Sequence, residues 1–128
     1  MCELAVSLHP RDQDIIQAVR AGHEIASHGD RHYTRVNVSQ ELFQKDLETS
    51  IQKIKAWTGQ APLTYAYPHG QCIEGDRDIC ANYFKHVLTV RRGVIDSFSD
   101  PLDLPRYYWP GPPKNSMRRK RWLFTGLS

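Results

Sequence analysis

Between Ser39 and Gly59 the apolar residues Leu42, Phe43, Leu47, Ile51, Ile54 and Trp57 recur mostly at steps of three or four. That spacing lays one apolar face along a single helix, with charged residues on the opposite side. Ser39 is placed to cap the start of the helix, and Gly59 to close its end in the left-handed conformation. An apolar face this long needs a second layer to pack on. Short apolar runs at 4–8, 23–27, 63–67 and 86–90, with a weaker one at 104–108, read as strands that provide it. Two further helices are expected. One opens at Pro10 with Asp12 and Asp14 in its first turn, keeps Ile15, Ile16 and Val19 at helical spacing, and stops at Gly22. The other lies around 76–84. Strands alternating with helices predict an α/β domain built on a mainly parallel sheet or barrel.

Charge divides the chain in two. Residues 111–128 hold Lys114, Arg118, Arg119, Lys120 and Arg121 with no acid, so the remainder, with twelve basic and fourteen acidic residues, is slightly negative. Pro110-Gly111-Pro112-Pro113 cannot continue a helix or a central strand. The expected organisation is therefore one domain over 1–110 and a basic C-terminal tail over 111–128. Arg118-Arg119-Lys120-Arg121-Trp122 has the makings of a phosphate-binding run, but a solvated tail is the plainer reading, and no nucleic-acid partner is expected. No apolar run approaches the ~20 residues of a membrane span, and residues 1–8 lack a basic leader. Three cysteines without a Cys-x-x-Cys pair predict free thiols, with Cys72–Cys80 pairing as the alternative in an exported protein.

The sharpest local pattern is Ser27-His28-Gly29-Asp30-Arg31-His32. Residues four apart on a helical turn share a face, so two imidazoles so spaced can reach one metal ion. The pair also begins where a strand ends, the rim on which βα folds carry their chemistry. On its own the pattern equally fits two polar loop histidines.

Gly22-His23-Glu24-Ile25-Ala26-Ser27-His28-Gly29-Asp30-Arg31-His32 resembles the second motif of the polysaccharide deacetylases of carbohydrate esterase family four. The resemblance implies that His28 and His32 bind a divalent metal, zinc in the first instance, with cobalt, nickel or iron also acceptable to imidazole. Gly29 stands where the family usually has Ser or Thr. Further on, Tyr65-Ala66-Tyr67-Pro68-His69-Gly70 resembles the third motif, which walls the sugar groove. By this likeness Tyr67, Pro68 and Gly70 line the substrate, and the main-chain amide of His69 donates to the oxyanion. Leu104-Pro105-Arg106 resembles a late strand of one branch, which places Arg106 near the catalytic acids; an exposed strand-end charge is the alternative.

The likeness runs over about residues 4–108 and omits one βα unit. The family's first motif, Thr-Phe-Asp-Asp-Gly, with its general base and third metal ligand, has no counterpart here. The fold implied is an incomplete, distorted (β/α) barrel of the polysaccharide deacetylase type with its first βα unit missing, whose open sheet edge a homo-oligomer would cover. The activity implied is metal-dependent removal of N-acetyl groups from a polysaccharide, in an active form only if another segment supplies the acids. His9, at the end of the preceding strand, and Asp30 are the nearest candidates to repair the site, although a loop histidine and a solvated turn acid describe them as well. A carbohydrate-binding remnant using Tyr65, Tyr67, Tyr107, Tyr108 and Trp109 is the alternative function. Relatives of this kind are often exported or act at the cell envelope.

Overall fold

A computed structural model of the chain describes residues 10–107. Helix α1 spans Pro10–Arg20, and the chain leaves it through a turn in which the Gly22 amide bonds the Val19 carbonyl. Helix α2 spans Gln40–Thr58. Its first turn is capped as its sequence requires, with the Ser39 hydroxyl accepting from the Leu42 amide at 3.2 Å. Its end is closed by Gly59 at φ 80°, whose amide bonds the Lys55 carbonyl. Strand β1 (Thr64–Ala66), helix α3 (Asp76–Ala81) and strand β2 (His86–Leu88) follow.

The two strands pair in parallel, with Thr64, Tyr65 and Ala66 opposite His86, Val87 and Leu88. The ladder extends by a single bridge on each side, Ser27 to Tyr65 and Leu88 to Leu104, both parallel. Four chain segments thus lie side by side in sequence order. Helix α2 connects the first to the second, and α3 the second to the third. The α/β alternation expected from the sequence is present, and the arrangement is the parallel βα progression of a barrel wall.

Five elements are shorter than the sequence suggests, with β1 and β2 each two residues short. In the run at 23–27 only Ser27 joins the ladder, giving its amide to Thr64 and accepting from Ala66. His23 and Glu24 stay exposed, so nothing apolar holds the start of that segment flat. Of residues 104–107 only Leu104 pairs, because Pro105 has no N–H to continue the ladder. The third helix ends at Ala81, where tight i→i+3 bonds from Asn82 and Tyr83 replace helical ones. The strand expected at 4–8, the tail at 111–128, His9, Tyr108 and Trp109 lie outside the described residues.

The core sits between α2 and the sheet and contains Phe43, Leu47, Tyr65, Tyr67, Cys80, Phe84 and Val87. Tyr65 stacks on Phe84 with ring centres 5.1 Å apart and meets Tyr67 edge-on at 5.3 Å. Leu42, placed by its spacing on the apolar face of α2, is instead 39% exposed, whereas Asp46 and Ser50 are buried there. That face therefore meets more than apolar side chains, and its polar partners lie in the loop that carries the histidines.

Candidate metal and substrate site

The chain emerges from the Ser27 bridge directly into His28, so both histidines and the turn after β1 share the C-terminal rim of the sheet. The His28 ring donates from Nδ1 to the Ala66 carbonyl at 2.7 Å. That bond places the proton on Nδ1 and leaves Nε2 with a free lone pair. His32 brings its own Nε2 to 3.0 Å from that of His28. Two nitrogens bound at tetrahedral positions of one zinc ion, ~2.0–2.1 Å from it, lie roughly 3.4 Å apart, so the facing pair suits such an ion as two of its ligands. His32 adopts φ 53°, left-handed for a residue with a side chain, so local structure must hold it there.

His69 completes a row of three imidazoles, with its ring centre 4.6 Å from that of His32 and edge-on to it. It too is left-handed, at φ 57°. The Gly70 and Gln71 amides close the turn onto the Tyr67 and Pro68 carbonyls, which leaves the His69 N–H outside the turn's hydrogen bonds. Gly70, at φ 66°, has Val90 packed where a Cβ would stand, so this turn cannot carry a side chain at that position.

The remaining expected site residues are placed as follows. Tyr67 and Pro68 are buried beneath the turn, and Tyr67 packs in the core. Burial pushes the Tyr67 hydroxyl above its usual pKa, with the neighbouring Cys80 adding to the effect. Tyr65 is only 1% exposed, so neither Tyr65 nor Tyr67 offers a ring face for sugar stacking; Tyr107 is 66% exposed. Arg106 donates its amide to Arg91, and its Nε is buried without a hydrogen bond among the described residues. Asp30 is engaged in an ion pair with Lys53 at 2.5 Å. No cluster of three or more His, Cys, Asp or Glu able to hold a metal occurs among the described residues. Cys72 and Cys80 are free thiols.

Asp46 escaped the sequence reading. Its carboxylate accepts from the amides of Asp30 and Arg31, at 3.0 and 2.9 Å. The available signal was an acid between Phe43 and Leu47 on the apolar face of a helix, where a carboxylate needs partners to be buried.

Comparison with known proteins accords with this fold. No curated protein gives a significant match. Among solved structures, a polysaccharide deacetylase from Bacillus cereus superposes with a TM-score of 0.65 at 20% identity, over 74% of this chain and 31% of that one. IcaB from Ammonifex degensii gives 0.67 at 23% identity, over 77% and 48%. A family 4 carbohydrate esterase from Streptomyces lividans, solved in complex with acetate, gives 0.56 at 21% identity, over 60% and 40%. The chain thus spans between 31% and 48% of the length of these structures, and at such identities they establish the fold. No described helix is long and apolar enough to cross a membrane. The family model described as polysaccharide deacetylase matches residues 6–86, a stretch that holds both histidine-bearing loops and the whole of α2, and the chain belongs to the polysaccharide deacetylase family.

Proposed function

We propose that the chain is a metal-dependent hydrolase domain that removes N-acetyl groups from a polysaccharide. The observation that carries this reading is the pair of Nε2 atoms, 3.0 Å apart, on His28 and His32. His28 and His32 would hold a divalent ion, zinc, cobalt, nickel or iron, through those atoms. Such an ion, when bound, polarises a carbonyl oxygen and makes water a competent nucleophile near neutral pH.

The chain's own residues contribute orientation and charge stabilisation. The Ala66 carbonyl fixes the His28 tautomer, so the ring presents a lone pair and not a proton. The His69 N–H, held in a turn that Gly70 keeps tight, would donate to the oxygen that becomes negative as water adds to the acetamide carbon. Breaking the C–N bond, with both protons of the attacking water ending on the leaving nitrogen through acids that another segment supplies, then releases acetate and leaves an ammonium group on the sugar. Pro68 and Gly70 would shape the wall of the sugar groove, and Arg106 would place a cation beside acids that another segment supplies.

Acetate release from N-acetylglucosamine oligomers tests the reading. Release that depends on added zinc or cobalt, and that stops with a chelator or in His28→Ala, is the expected result where another segment supplies the catalytic acids; the chain alone is expected to be inactive. Binding of the oligomers without turnover in metal-loaded protein would replace it with the non-catalytic carbohydrate-binding reading.

A further inference from the structure

We propose that Asp46 is the positioning residue for the metal-holding histidines, and that Gly29 is the residue that lets it act; the proposal rests on the ligand role given to His28 and His32 above. Asp46 lies on α2 and is 7% exposed. Oδ2 accepts from Asp30 and Oδ1 from Arg31, so each carboxylate oxygen takes one amide of the three-residue link between the histidines. The third amide, of Gly29, donates to the Ser27 hydroxyl at 3.3 Å. That hydroxyl is 2.7 Å from the hydroxyl of Ser50, also on α2. Every N–H between His28 and His32 is therefore held by a buried side-chain oxygen, and α2 stands behind all three.

The two histidines depend on this scaffold unequally. The His28 ring has an anchor of its own in the Ala66 carbonyl. Among the described residues the His32 ring is held only by His28 Nε2 and the edge of His69, so its direction is set by its backbone, which is at φ 53°. A left-handed histidine persists only where its surroundings over-determine it, and the paired amides on Asp46 immediately before it do so. Gly29 explains how the carboxylate comes so close. A Cβ at this position would stand 2.6 Å from Asp46 Oδ2, and φ is 79°. The glycine that occupies the family's Ser/Thr position is thus the space into which the carboxylate fits.

The test compares the wild-type chain with Asp46→Asn, which keeps the size but turns one acceptor into a donor facing an amide. Amide exchange at Asp30 and Arg31 and the His32 HN–Hα coupling are read by NMR without metal, and zinc affinity by titration. Asp46→Asn is expected to speed exchange at both amides, shift the coupling away from the left-handed value, and weaken zinc binding by about tenfold or more, as loss of an outer partner of a metal ligand does. Unchanged exchange and coupling would overturn the proposal, as would a disordered loop with full zinc affinity. Failure of the wild type to bind zinc would instead count against the ligand reading, while exchange and coupling would still decide the role of Asp46. If Asp46→Asn does not fold, Gly29→Ala takes its place, with the acid intact and the same losses expected.

Discussion

Arg35 grips Asp76 through three hydrogen bonds of 2.8–3.0 Å, with both side chains buried. Arg35 sits just after His32 and also donates to the Val38 carbonyl. Asp76 opens α3, after the turn that carries His69, and also accepts from the Ile73 amide. The guanidinium lies 4.5 Å over the Phe43 ring. One ion pair therefore ties together the two loops whose imidazoles meet at the rim.

Removing one member of such a pair strands a buried charge. Asp76→Asn is expected to cost about 3–5 kcal/mol in urea unfolding, and an apolar replacement of both partners, Arg35→Met with Asp76→Leu, to recover much of that. A loss below ~1 kcal/mol in the single variant would show that water reaches the guanidinium.

The two left-handed glycines near α2 separate backbone strain from crowding. Gly59 has open space around it at φ 80°, so Gly59→Ala should cost only the ~1–2 kcal/mol of a left-handed alanine. Gly29→Ala carries that strain and also pushes on Asp46 Oδ2. Its loss of stability in urea should be the larger of the two; equal losses would mean that the carboxylate moves aside freely.

Periodicity in the sequence located α2 and both of its caps, because Ser39 and Gly59 act through local backbone chemistry that needs no tertiary partner. The spacing of His28 and His32 alone left them ambiguous, and their ligand reading came from the likeness to the second motif; the helical turn that the spacing suggested is instead an irregular loop with His32 at φ 53°. The short reach of the ladder at 23–27 and 104–107 was not legible, since pairing depends on neighbours that an apolar run does not specify. Asp46 shows the limit most clearly. Its partners are amides fifteen and sixteen residues away, and no periodic pattern encodes that contact. Tyr65 and Tyr67 read as sugar-stacking aromatics in the sequence, yet both face the core beside Phe84.

Leu42 and Leu47 both belong to the apolar pattern of α2, but only Leu47 is fully enclosed, at 0% exposure against 39%. Leu47→Ala should cost about 2–5 kcal/mol through lost contacts and a residual cavity. Leu42→Ala should stay within ~0.5 kcal/mol, as surface changes do. Thermal or urea unfolding of the two variants side by side checks the contrast.

Burial pushes the Cys80 thiol up to about 11 from its usual 9.0. Burial likewise raises the Tyr65 and Tyr67 hydroxyls. The unfolded chain therefore loses these protons first as the pH rises. Stability is whole below pH 9 and should fall between 9 and 11, where unfolded Cys80 ionises and the folded thiol does not. Unfolding midpoints measured across this range should decline, and Cys80→Ala should decline less steeply. At neutral pH a thiol reagent should label exposed Cys72 and spare Cys80 until the protein unfolds.

His28 and His32 are proposed to hold one divalent ion between facing Nε2 atoms. Zinc titration of the purified chain, followed by elemental analysis after dialysis, tests this proposal most directly. About one zinc per chain is expected in the titration, persisting through dialysis only where a further ligand completes the site, and lost in both His28→Ala and His32→Ala with the fold intact. Wild-type protein that binds no zinc in the titration, or histidine variants that bind as much as the wild type, would overturn it.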